Sequence, residues 1–428
     1  MIVVWMFVVL IVLILLAMPV FGAMGIAAFL HYLDTGREGT LTILFQQIFR
    51  GLTGTSFMAI PMFLLAGQIM SAGGLIDRLL DLAKALLGHL TGGLAQVNIG
   101  ASVFFSSISG SAHADVAALG TTLIPAMERE GYPRGFAGAL TAASGTLTPL
   151  LPPSIVLIVY GAAFGVSIGA LFAAGAGVGL LLALMLSVQT YFMVRKGNYP
   201  RSRRQSGREI LRCLLRALPA LGLPAIILGG IFGGIFTATE ASAVAVAYAL
   251  TLIVIYGTLP IRKLPELMRQ TALTTAAIMI LIAMAQSFSY VIARRNVPEA
   301  VMGMLGSITD NYIILLMLIV GILVCAGMFV DRTTNVLLFG PILLPILHGP
   351  ELGFGPVHAA MTMIMALGVG HLTPPVGGTL LTTALVGRIP VEELTRYMWP
   401  YIISFIILAM AVTFVPAVSE TLPRILGF

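Results

Sequence analysis

Four serines around one glycine mark the part of this chain best suited to binding chemistry. Ser106, Ser107, Ser109 and Ser111 surround Gly110; His113 and Asp115 follow, and a later run from Thr146 to Ser154 reads TLTPLLPPS. A second stretch repeats the plan, with Gly327 to Asn335 as GMFVDRTTN and Gly370 to Thr379 as GHLTPPVGGT. A glycine permits a tight reversal, so a Ser-rich tip presents hydroxyls and N–H groups to whatever lies in front of it. Helix ends aimed at the same place direct their positive poles toward an anion. The prolines act on the other sign of charge. Pro149, Pro152, Pro153, Pro374 and Pro375 lack an N–H, so carbonyls one turn earlier lose their helical partners. Such carbonyls are costly in an apolar interior unless satisfied, and a small hard cation such as Na⁺ takes oxygen ligands of this kind. The chemistry expected is therefore binding, with a cation at the broken helices and an anion at the tips. Ser107, Ser111, Asp331, Asn335 and Pro375 are the candidates for the anionic substrate.

Other polar residues admit two readings each. Asp331 and Arg332 either act on substrate or pair with one another. His113 and Asp115 either shuttle protons or form a satisfied interfacial pair. His371, beside Thr373, is a candidate for tuning the second cation site, and Glu240 reads as a helix cap.

The elements that must position these groups are duplicated. Pro125 and Pro345 lie 220 positions apart (345 − 125), whereas Gly131 and Gly353, Pro152-Pro153 and Pro374-Pro375, and Gly165 and Gly387 are all 222 apart. The repeats run from about 48 to 171 and from about 268 to 394. Interrupted apolar segments at matching places in two halves point to a secondary transporter's binding site. The run Phe136 to Leu147 offers roughly 18 Å of helix at 1.5 Å per residue, short of the ~30 Å hydrocarbon core, so it must stop inside the membrane.

Composition agrees. With 58% hydrophobic and 9% charged residues and a mean hydropathy of +1.03, the chain is no ordinary soluble domain, and its runs read as membrane helices. Met1 to Leu33 reads as a retained first span, because no Lys or Arg precedes Arg37. Asp77, Arg78, Asp81 and Lys84 lie at helical spacing beside leucines, as in a surface brace. The basic residues of the 195–216 loop follow the positive-inside bias, and no soluble domain accompanies them to suggest nucleic-acid binding. Val297 to Asp310 reads as a short surface helix, and Cys213 and Cys325 make no plausible disulfide or metal site. About eleven or twelve crossings and two re-entrant hairpins are expected, in one integral membrane unit spanning 1–428.

These stretches resemble the large membrane subunit of tripartite ATP-independent periplasmic (TRAP) transporters, the DctM-like family. The resemblance is carried by Phe105 to Ser111, Gly145 to Ser154, Gly161 to Gly169 (GAAFGVSIG), Gly233 to Ala241 (GGIFTATEA), Gly327 to Asp331 and Leu372 to Gly377. It implies an all-α polytopic protein of the bacterial inner membrane, built of inverted repeats with two re-entrant helical hairpins and broken helices. It further implies Na⁺-coupled import of an organic acid without ATP, in an elevator whose moving part is about 95–170 and 320–390 and whose remainder is scaffold and arm helices. Two partners are implied, a small four-helix membrane subunit and a periplasmic solute-binding protein. By the same resemblance one Na⁺ site uses Ser106, Ser109 and carbonyls near Thr148, Leu151 and Pro153, and a second uses Gly327, Gly370, Thr373 and Val376. Two departures from the family pattern are Thr148, where Gly is expected, and Gly377-Gly378-Thr379, where a bulky apolar residue and Asn usually follow the first Gly.

Two rival functions remain open at this level. Gly165-Val166-Ser167-Ile168-Gly169 matches the G-x-S-x-G pattern of a serine hydrolase, yet its repeat partner at Gly387 keeps only the turn. A stand-alone dicarboxylate carrier of related inverted-repeat type would need no binding protein. No GxxxxGK[ST] occurs, so nothing supports ATP hydrolysis within the chain.

Overall fold

The computed structural model describes residues 2–36, 38–197, 199–309 and 311–428, so Met1, Arg37, Asn198 and Asp310 lie outside the described residues. These are all helix and connection. The chain begins with α1 (Ile2–Leu15), α2 (Val20–Thr35), α3 (Glu38–Thr53), α4 (Ala59–Ala72) and α5 (Leu75–Leu87). The first special stretch is α6 (Gly93–Ser109), α7 (Ala112–Arg129), α8 (Arg134–Gly145) and α9 (Ile155–Phe164), followed by α10 (Ile168–Val194), α11 (Gly207–Phe232) and α12 (Ala238–Tyr256). Then come α13 (Leu264–Arg294) and α14 (Val297–Ile308), the second special stretch of α15 (Tyr312–Phe329), α16 (Arg332–His348), α17 (Pro356–Leu372) and α18 (Gly378–Gly387), and finally α19 (Val391–Phe414) and α20 (Pro416–Ile425).

Seven segments among the described residues are long and apolar enough to cross a bilayer: 55–72, α10, α11, α12, α13, α15 and α19. The two broken pairs cannot cross as single helices. The chain leaves helix at Thr146 and re-enters at Ile155, and in the second half it leaves at Thr373 and re-enters at Gly378. Both breaks fall where the prolines remove N–H donors. Ser154 starts α9 as an N-cap, its Oγ accepting from the Leu157 N–H (3.4 Å) and donating to the Pro149 carbonyl (2.7 Å).

Burial orders the molecule. Every residue of α8 from Gly135 to Gly145 and of α17 from His358 to Leu372 is buried. Large apolar side chains stand exposed on the outer helices instead, among them Leu15, Leu184, Val254 and Met317. A polypeptide in lipid needs no polar exterior, so the broken helices form the centre and the long spans the rim.

The duplication is visible in the packing. The second helix of each hairpin leans on the short helix of the other half, α7 against α18 and α16 against α9. Gly120 on α7 faces Val386, where a Cβ would lie 3.3 Å from its Cγ1; Gly340 on α16 faces the ring of Phe164. Those residues are related by the repeat offsets. The turns into α8 and α17 also match, with Gly131 (φ 88) and Gly353 (φ 62) both left-handed, and Pro152-Pro153 and Pro374-Pro375 are both cis.

Four readings are refined. The N-terminal apolar run is two helices, reversed at Ala17 (φ 61) and restarted after Pro19. The basic loop is shorter than 195–216, because Ser206 and Glu209 form a capping box and carry Arg208, Arg212 and Arg216 into α11. The turn expected from Gly387 is made with Arg388 left-handed (φ 51), one residue later than the left-handed Gly165 (φ 70) in the first half. The arm also differs between halves: the first-half counterpart of α13 is interrupted at Gly54, whereas α13 runs unbroken for 31 residues, about 46 Å. Glu240 does cap a helix, its carboxylate accepting from the Thr237 N–H at 2.8 Å.

Candidate functional site

In the first half, small hydroxylated side chains allow α6 and α8 to lie close and then bond across the gap. Asn98 Nδ2 donates to Thr141 Oγ1 (2.8 Å), Ser144 Oγ donates to Asn98 Oδ1 (3.2 Å), and Ser102 Oγ donates to Ser144 Oγ (3.0 Å). The ladder ends at the break, where Ser106 Oγ lies 3.0 Å from Thr148 Oγ1 and Thr148 donates to Asp115 Oδ2 (2.9 Å). Asp115 is fully buried, and its second oxygen has no hydrogen-bond partner. At the tip, Gly110 is left-handed (φ 63), and a Cβ there would sit 3.1 Å from the Pro153 carbonyl oxygen. Among the described residues no hydrogen bond reaches the carbonyls of Thr148, Leu151 or Pro153. Ser106, Thr148 and Pro153 are thus brought together around the tip; Ser109 stands within it, its Oγ 3.5 Å from the Ser111 carbonyl. The Leu151 side chain turns away toward Gly179.

The second half reaches the same closeness differently. Thr148 has its counterpart, 222 positions on, in Gly370, and there the backbones of α15 and α17 touch. A Cβ on Gly370 would meet the Val324 carbonyl oxygen at 2.2 Å, and one on Gly327 would meet that of Leu367 at 2.6 Å. Thr373 Oγ1 donates to the Val369 carbonyl (2.7 Å), and the Gly377 N–H bonds to the Met328 carbonyl (2.9 Å), tying the break to the hairpin. Among the described residues the Thr373 and Val376 carbonyls accept no hydrogen bond. Asn335 lies 220 positions after Asp115 and is equally buried; its Nδ2 donates to the Val330 carbonyl (2.8 Å), and its Oδ1 is unpartnered.

Between the two tips lies a cavity of about 300 Å³, the lower end of small-ligand pockets. The N-termini of α7 and α16 open into it, along with Pro149, His113 and His371, and its far wall is Thr274, Ala277, Ile278 and Leu281 of α13. Arg332 also lines it. Its guanidinium is buried, donates from one nitrogen to the Thr146 carbonyl (3.4 Å), and leaves Nε and the other terminal nitrogen without partners. The Asp331–Arg332 pairing is not formed. Asp331 instead caps α16, accepting from the Thr333 N–H at 2.9 Å, and faces His113. Of the five substrate candidates, Ser111 and Asp331 stand on the cavity wall. Ser107 bonds back to its own helix at the Val103 carbonyl (3.4 Å), Asn335 lies behind the tip, and Pro375 is exposed away from the cavity.

The family described as "Tripartite ATP-independent periplasmic transporter, DctM component" matches residues 7–418. The chain belongs to it. The sialic acid TRAP transporter large permease SiaM of Vibrio cholerae is 40% identical over 386 residues, 90% of each chain. The C4-dicarboxylate TRAP transporter large permease DctM of Pseudomonas aeruginosa is 37% identical, over 92% of this chain and 94% of that one. The crystal structure of the YdaH transporter of Alcanivorax borkumensis shares the fold, with a TM-score of 0.59 and 14% identity over 90% and 91% of the two chains.

This DctM component is therefore a transporter permease of the bacterial inner membrane and not an enzyme. The G-x-S-x-G match is a helix start, with Ser167 Oγ accepting from the Ala170 N–H at 3.3 Å. Two residues that the sequence leaves between two readings take places in the fold that it does not indicate. Asp115 stands two residues from His113 in the sequence, but the first turn of α7 sends the two apart, Asp115 inward to Thr148 and His113 to Thr382. Its match with Asn335 at the hairpin offset was the available signal. Arg332 admits two roles in the sequence because adjacency to Asp331 says nothing of direction.

Proposed function

We propose that this permease component imports an organic acid, coupled to Na⁺, through movement of the paired hairpins and broken helices against the arms. The observation that carries this reading is the arrangement around one cavity: a buried guanidinium with open N–H groups and two helix N-termini face it, and carbonyls without donors flank it at both breaks. The first set suits a carboxylate and the second a desolvated cation. Ser106, Ser109, Thr148, Leu151 and Pro153 would hold one Na⁺, and Gly327, Gly370, Thr373 and Val376 another. Each Na⁺ entering down ~100 mV contributes about 2.3 kcal/mol, so two can drive an acid uphill without ATP. The hairpins are read as re-entrant, with 95–170 and 320–390 moving and the remainder as scaffold. The tripartite family supports a small four-helix membrane subunit and a periplasmic solute-binding protein as partners. Relatives of similar identity name sialic acid and C4-dicarboxylates, which supports an acid as the class and leaves selection to the binding protein.

The test is uptake into proteoliposomes containing this permease with its small subunit. Uptake should require both a Na⁺ gradient and the soluble binding protein; persistence without the binding protein would favour a stand-alone carrier. Ser109→Ala and Thr373→Ala should each raise the half-saturating Na⁺ concentration by about tenfold, the ratio for ~1.5 kcal/mol lost at a charge. Unchanged Na⁺ dependence in both variants would remove the ion assignment.

Asp115→Asn makes the first half resemble the second at this position. With a formal charge lost beside the Na⁺, half-saturation should rise by about tenfold or more, whereas Asn335→Asp should lower it. Equal Na⁺ affinity in Asp115→Asn and the parent protein would show that the carboxylate does not face the ion.

A further inference from the structure

The cavity wall also carries a cluster whose chemistry differs from that of the ion and acid sites, although it shares Asp331 with the candidates for the acid. One nitrogen of His113, one carboxylate oxygen of Asp331 and one nitrogen of His371 all lie within 4.8 Å of one another. The three residues come from α7, the cap of α16 and the end of α17, so they join both hairpins and one broken helix. We propose that they form a site for a divalent transition-metal ion of the zinc class, which pins the two hairpins together.

His113 and Asp331 are prepared for the role by the bonds of their other atoms, and His371 by its burial. His113 Nδ1 is held by Thr382 Oγ1 at 2.8 Å, which leaves Nε2 on the side of Asp331, 4.0 Å from Oδ1. Asp331 Oδ2 is engaged by the Thr333 N–H, so Oδ1 is the free oxygen. His371 is 3% exposed, its ring lies 5.5 Å from that of His113, and one of its nitrogens has no hydrogen-bond partner. Metal-bound histidines characteristically carry such a second bond on the far nitrogen, which fixes the ring. Zinc bonds of about 2.0–2.2 Å place tetrahedral ligand atoms roughly 3.3 Å apart, so the cluster must close by about 1.5 Å at most. Two imidazoles and one carboxylate favour Zn²⁺ or Co²⁺ over Na⁺, Mg²⁺ or Ca²⁺, which prefer oxygen. The fourth position faces the cavity. A bound ion therefore blocks both the substrate's space and the separation of the hairpins.

The inference rests on this geometry and stands whether or not the Na⁺ reading holds, because its first test is binding. ZnCl₂ and CoCl₂ are titrated into the purified full-length protein in nanodiscs, following heat for zinc and visible d–d absorption for cobalt. One ion per chain should bind, with the absorption of a four- or five-coordinate site. His113→Gln and His371→Gln should each weaken binding by about a hundredfold, and Thr382→Val, which releases the far nitrogen of His113 along with the Thr382 bond to the Gly378 carbonyl of its own helix, by about tenfold. In proteoliposomes zinc should inhibit uptake by the parent protein and lose potency in His113→Gln by a matching factor. Absence of stoichiometric binding, or binding unchanged in both histidine variants, overturns the proposal. Binding that depends on the histidines and leaves uptake untouched overturns the pinning.

Discussion

Arg332→Met should abolish uptake while leaving the protein as stable as before, or more so. Arg332 is 2% exposed, and its guanidinium makes one long hydrogen bond, to the Thr146 carbonyl at 3.4 Å, with Nε and one terminal nitrogen open. Asp331 is adjacent in sequence but not within pairing distance. A buried charge so poorly compensated opposes folding, and an apolar side chain of similar volume in its place is neutral or stabilising by ~1–4 kcal/mol. Its presence makes sense as a group awaiting an anion. A carboxylate meeting two open N–H groups gains two charge-assisted bonds of about 1.5–3 kcal/mol each, so their loss should lower uptake at subsaturating acid by at least ~100-fold. Arg332→Lys should recover little, since an ammonium cannot offer the planar fork. Thermal unfolding in detergent beside initial uptake rates reads both halves of the prediction. A large fall in unfolding temperature with uptake retained would make Arg332 a structural residue tying α16 to the end of α8.

Much of this fold was legible because its distinctive features are local. Two prolines in succession remove hydrogen bonds wherever they stand, and a repeated offset survives without knowledge of contacts. Hence the breaks at Thr146 and Thr373, the matched turns at Gly131 and Gly353, and the tip at Gly110 fall where residue types alone place them. What was hidden depends on contacts between distant parts. The cross-packing of α7 on α18 and α16 on α9 leaves no local signature, and Thr382 reaches His113 across 269 residues. The N-terminal reversal was missed because it uses Ala17 in a left-handed conformation, where glycine would have signalled it. The turn at Arg388 was displaced for the same reason.

The two halves also solve one packing problem in different ways, and the second solution is the more fragile. Where α6 meets α8, hydroxyls from Ser102, Ser106, Ser144 and Thr148 fill the gap and bond across it. Where α15 meets α17, glycines close the gap completely. Gly370→Val should consequently be among the most damaging single changes in the chain. Its Cβ would fall 2.2 Å from the Val324 carbonyl oxygen and 2.7 Å from the Gly327 Cα, both backbone atoms that no rotamer change can move. The helices must separate, and with them the Met328 carbonyl that holds the Gly377 N–H at the break. Overpacking of a core costs about 1–3 kcal/mol where side chains can yield, and here only backbone is available, so a loss of ~3 kcal/mol is expected. Gly321→Ala supplies the comparison on α15, the helix that Gly370 packs against, because nothing lies within 4 Å of its added Cβ. That variant should be unchanged or stabilised by about 0.5–1 kcal/mol, as for any glycine replaced within a helix. Unfolding midpoints of the two variants, measured in one detergent, decide the matter. If Gly370→Val unfolds with the parent protein, α15 and α17 do not meet there, and the second ion site proposed above loses the contact that would shape it.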